Sequence, residues 1–76
     1  MEELVRMIAK SLVDHPDQVE VRTVENEDSI ILELSVGPDD MGKVIGKQGR
    51  IAKAIRTVVK AATARSEKRV MVEILE

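Results

Sequence analysis

Leu4, Val5, Ile8 and Leu12 recur at helical spacing, with Met7 on the flank of the stripe. That spacing predicts an amphipathic helix over residues 2–13. Glu2 and Glu3 fall at its start, where a helix carries partial positive charge. His15-Pro16-Asp17 ends it, because proline cannot continue a helix and moves the residue before it toward extended angles. From Val19 the pattern changes to alternation, with a slip of one step at Thr23-Val24, and predicts an edge strand over 19–25. Asn26-Glu27-Asp28 reads as a turn. Ile30, Leu32, Leu34 and Val36 then share one face of a second strand over 29–36, so the two strands form a hairpin.

Gly37-Pro38 breaks that strand. Asp39 is expected as an N-cap, opening a short helix through Met41, Val44 and Ile45. Gly46-Lys47-Gln48-Gly49 interrupts it, and a longer helix follows from Arg50 to Ala64. Ile51, Ala54, Ile55, Val58, Val59 and Ala62 gather on one side of this helix, flanked by Ala52 and Ala61. Arg50, Lys53, Arg56, Thr57 and Lys60 gather on the other. Ser66-Glu67-Lys68 is a turn, and Val70, Val72 and Ile74 mark a closing strand over 69–75. The order αββααβ predicts an α+β domain, a three-stranded sheet with three helices packed on one face. At 76 residues the chain is expected to be one domain, 1–76.

Composition narrows the chemistry. There is no cysteine and a single histidine, His15, which excludes disulfides, thiolate metal sites and His-rich sites. No cofactor, metal site or catalytic residue is read: no Ser or Thr lies near an evident base, and His15 reads as a turn residue. Asp39-Asp40 reads as helix capping rather than as a magnesium pair. No apolar run approaches the ~20 residues of a membrane span. The acidic N-terminus does not resemble a signal peptide, so a cytoplasmic chain is expected. Phe, Trp and Tyr are all absent, which disfavours nucleic-acid modules that stack bases on aromatic platforms.

The net charge of −2 hides a strong polarity. Residues 1–42 hold eleven acids and three cations. Residues 43–69 hold nine cations and one acid, Glu67. A local positive face attracts a polyanion even when the whole chain is acidic. Three of the four glycines open this basic part, in Gly42-Lys43-Val44-Ile45-Gly46-Lys47-Gln48-Gly49-Arg50-Ile51.

A nucleotide P-loop does not fit these residues. The spacing from Gly42 to Gly46-Lys47 is one residue short, Gln48 stands where a hydroxyl is needed, and a helix rather than a strand precedes the loop. A helix–GxxG–helix fits better. Gly46 and Gly49 permit a tight link and leave no Cβ in the way of a sugar-phosphate backbone. The loop amides are expected to face outward, joined by the positive end of the following helix. Lys43, Lys47, Arg50 and Lys53 supply charge. Bases would lie in a groove beside the loop, against Val44, Ile45, Ile51 and the second strand, where unpaired edges can be read. The Gly42/Gly46 pair is read as close packing of the short helix.

Val44-Ile45-Gly46-Lys47-Gln48-Gly49-Arg50-Ile51 resembles the VIGxxGxxI signature of the KH domain, with Ile51 arriving two residues after the second glycine, and the αββααβ order is similar to its type II, bacterial arrangement. The likeness spans the whole chain and is greatest to small stand-alone bacterial KH proteins. It implies an RNA-binding protein, not an enzyme, in which Lys43, Val44, Ile45, Gly46, Lys47, Gln48, Gly49, Arg50, Ile51 and Lys53 hold single-stranded RNA. It also implies a homodimer, or pairing with a second KH protein of the KhpB (Jag/EloR) family. The associated roles are post-transcriptional control, RNA chaperoning and cell shape. Independently, the apolar arc of the long helix is wider than one sheet covers. Val58, Ala61 and Ala62 are therefore read as a contact with a second copy. The competing reading is a protein–protein scaffold that keeps the fold while RNA binding is secondary.

Overall fold

The alternating segments pair as a hairpin, and a third strand joins it from the far end of the chain. β1 (Glu20–Glu25) runs antiparallel to β2 (Ser29–Ser35), and β3 (Arg69–Ile74) runs parallel to β2. The order across the sheet is β1-β2-β3. This computed structural model describes residues 1–46 and 49–75. Register between β1 and β2 is unbroken from Glu20↔Ser35 to Glu25↔Ile30, so the slip expected at Thr23-Val24 does not occur. Val24 lies on the open face of the sheet, opposite Ile31, and is 40% exposed.

A parallel pair needs a crossover, and the segment between β2 and β3 supplies it. That segment contains α2 (Pro38–Ile45) and α3 (Arg50–Ala62), joined by the glycine turn. α1 (Glu2–Leu12) precedes the hairpin, and a 3₁₀ turn at Pro16–Gln18 links the two. All three helices cover the sheet face that carries Val21, Leu32, Leu34 and Val72. The core adds Val5 and Ala9 from α1, Val44 from α2, and Ile55 and Val59 from α3. Branched aliphatic side chains fill it, each worth roughly 1.5–3 kcal/mol when fully buried.

Two helix readings change. The N-cap of α2 is Gly37, not Asp39; Pro38 occupies the first turn, where its missing N–H and fixed φ suit a helix start. On α3 the buried stripe is Ala52, Ile55 and Val59, with Ile51 half-buried, whereas Ala54, Val58 and Ala62 are exposed. The sheet covers one side of the apolar arc and leaves the other bare.

Candidate nucleic-acid interface

α2 stops because of two backbone features that only glycine allows. Gly46 N–H donates to the Gly42 carbonyl at 2.7 Å, and a Cβ on Gly46 would lie 2.2 Å from that same oxygen. Gly49 has φ +67°, in the left-handed region that L side chains avoid. Its N–H donates to the Gly46 carbonyl at 2.8 Å, closing the turn. Both glycine amides are thus bonded within the turn rather than facing outward as expected. The amides open to a ligand are those of the first turn of α3, which have no carbonyl within the helix to bond. Among the described residues, no side chain caps that end. Lys47 and Gln48 lie outside the described residues.

The other residues expected at the site divide by depth. Val44 is fully buried, so it fixes α2 on the core. Ile51 is half-buried against the same core. Ile45 is 42% exposed beside the turn. Lys43, Arg50 and Lys53 are exposed. Lys43 Nζ stands 3.3 Å from Asp14 Oδ1, a surface pair that a phosphate can displace at small cost. The helix-side residues of β2, Leu32 and Leu34, are buried beneath the helices. β2 therefore offers a ligand no surface there, contrary to the expected groove wall.

The structure opens instead between α3 and the edge strand β3, in a groove of about 730 Å³. Arg56 and Lys60 line one wall, Val70 and Val72 the other, and Lys68 lies at the connecting turn. Arg56 Nε donates to the Val72 carbonyl at 3.4 Å, reaching across to the unpaired edge of β3. Sequence reading placed Arg56 and Lys60 on the charged face of the helix but did not tie them to a site. The missing information was which strand forms the edge.

The N-terminal end of α2 is held differently. Asp40 is fully buried, and its carboxylate accepts the Asp14 N–H at 3.0 Å and the His15 N–H at 2.9 Å. The Asp14 amide holds its pKa below the usual carboxylate value; burial opposes this, and the His15 amide adds to it. Beside it, His15 Nε2 lies 3.6 Å from Asp39 Oδ2. Asp40 thus ties the connection after α1 to the helix that carries the turn. Among the described residues, no three side chains group to hold a metal.

Among the described residues, Gly46 and Gly49 lie between two helices inside a βααβ crossover. The family model described as KhpA/KhpB, KH domain, matches residues 2–74. The chain belongs to the KhpA/KhpB KH-domain family. A relative in Clostridium perfringens named RNA-binding protein KhpA is 69% identical over 75 residues, covering 99% of this chain and 100% of its own. A relative of the same name in Listeria monocytogenes is 53% identical over 76 residues, with both chains covered in full. Members of the KhpA/KhpB family are thus named as RNA-binding proteins, not as enzymes. Among solved structures, Aquifex aeolicus Era bound to GDP and aluminium fluoride gives a TM-score of 0.65 at 22% identity. Era with MgGDPNP and a stretch of 16S ribosomal RNA gives 0.61, also at 22% identity. The match covers 97% of this chain and 30% of each Era chain, so it speaks for the fold. Among the described residues, no helix is long and apolar enough to cross a membrane.

Proposed function

We propose that this chain binds single-stranded RNA, with the backbone received at the Gly46–Gly49 turn and the bases in the groove between α3 and β3. The observation that carries this reading is the turn itself. It sets two residues without side chains, Gly46 and Gly49, next to the uncapped start of a helix whose exposed side holds Arg50, Lys53, Arg56 and Lys60. Anions settle at such helix starts, and flexible cations add neutralising charge. The groove floor is aliphatic, which suits unpaired bases in a chain without aromatic residues. The names of the relatives agree with this reading. Lys47 and Gln48 belong to the same grip in this reading, Lys47 adding a further cation.

The protein acts in the cytoplasm, in post-transcriptional control, as an RNA chaperone or in the control of cell elongation and division. It works as a homodimer or with a KH protein of the KhpB (Jag/EloR) kind. Support for self-association is the bare side of α3, where Val58 is 40% exposed and Ala54, Ala61 and Ala62 are exposed beside it. The same stripe favours the second reading, a protein scaffold in which RNA is secondary.

Replacing both Lys47 and Gln48 by Asp separates the two readings. RNA affinity should fall at least about a hundredfold, beyond 2.7 kcal/mol, while the melting temperature and self-association hold. If the protein's cellular activity survives that loss of RNA binding, the scaffold reading wins. Wild-type affinity for single-stranded RNA should also fall with salt, as a few phosphates are neutralised.

A further inference from the structure

In β1 the alternation breaks at Thr23-Val24: the polar residue takes the helix side of the sheet and the apolar one the open side. Register is unbroken there, so no bulge explains it. Val24 stands opposite Ile31 of β2, and Ile31 stands opposite Met71 of β3. The three form an apolar row across the whole sheet, on the face that the helices leave bare. Val24 and Met71 are each 40% exposed, and Ile31 is half-buried. The strands carrying the row agree with it. Ile30-Ile31-Leu32 and Val70-Met71-Val72 are continuous apolar runs rather than alternations. Such runs, like the parallel pairing of β2 with β3, belong to strands covered on both faces. Here one of the two covers is missing.

Charges border the row two residues along each strand, and so on the same face. On β3, Arg69 lies to one side of Met71 and Glu73 to the other, with Glu33 and Arg22 beside Glu73 across the sheet. Among the described residues, none of these four forms an ion pair. We propose that a second copy of this chain covers the face, sheet against sheet, about a two-fold axis running along the apolar row. That axis lays Val24, Ile31 and Met71 on their own counterparts and reverses the strand direction. It thereby sets Arg69 of each copy over Glu73 of the other. A two-fold contact requires such self-complementarity, and aligned sheets pack in this way at a separation of about 10 Å. RNA does not suit the face, where Glu20, Glu33 and Glu73 outnumber Arg22 and Arg69. All three helices lie outside the pair, so the contact competes neither with the RNA reading above nor with the Val58 stripe on α3.

A charge exchange tests the axis directly. Val58→Glu is present throughout to remove the α3 stripe, and thermal melts check that every chain is folded. Sedimentation of this background should show a monomer–dimer equilibrium with Kd on the order of 100 µM, as suits a small face. Arg69→Glu sets acid against acid across the axis, and Glu73→Arg sets cation against cation. Each alone should dimerise at least about tenfold more weakly. Mixing the two variants, or combining both changes in one chain, should restore the dimer, because every facing pair is again of opposite sign. Met71→Glu should abolish it. A background that stays monomeric at about 1 mM overturns the inference and leaves the row to a different protein. Dimers that neither single change weakens, or that neither the mixture nor the combined variant restores, overturn it as well.

Discussion

The two ends of α2 are built on opposite principles. At its N-terminal end a buried carboxylate holds the helix to a segment 25 and 26 residues away in sequence. At its C-terminal end the helix stops through the absence of side chains, at Gly46 and Gly49. One end uses strong, directional bonds to fix position. The other clears space beside the free amides and the cations at the start of α3. A short helix can end in a glycine turn because its other end is pinned inside the protein.

Asp40→Ala should break this contrast most severely. It strands two part-buried amide donors, and the melting temperature should fall by about 10–20 °C in a thermal melt. Acid acts on the same group. The folded-state pKa of Asp40 is lowered, so its contribution is present above the ordinary carboxylate range and is lost as pH falls through the folded value. Glu2, lowered chiefly by its hydrogen bond from Thr23 and then by Arg6, adds in the same direction. Stability should therefore fall below about pH 4, and Asp40→Asn should make that limb shallower.

At the other end, Gly46→Ala forces a Cβ onto the Gly42 carbonyl. Chemical denaturation should show a loss of about 2 kcal/mol, with weaker RNA binding. Gly49→Ala meets no neighbour among the described residues and carries only the strain of its φ, so its loss should be about 1 kcal/mol. Asp14→Asn, which frees Lys43, should change stability by less than about 0.5 kcal/mol while raising RNA affinity slightly.

The anchored end was hard to read in sequence, and the bare end was easy. Gly46 and Gly49 announce the turn because each answers a local need, of space or of backbone angle. Asp40 looked like half of a capping pair because its partners, the amides of Asp14 and His15, are set by tertiary packing. The order αββααβ followed from periodicity alone. The parallel placement of β3 at the sheet edge did not, and with it went the groove lined by Arg56 and Lys60. The buried phase of α3 was missed for a related reason. Ala52, Ala54 and Ala62 are equivalent by hydropathy, and only tertiary packing decides that Ala52 is covered.

The most direct test is a nitrogen-15 NMR titration of the whole chain with short single-stranded RNA. Amide shifts should concentrate from Gly42 to Lys53 and along β3 from Val70 to Val72, and an RNA duplex of the same length should move them far less. Shifts centred on β1 and the outer side of α1, with the glycine turn silent, would contradict the account.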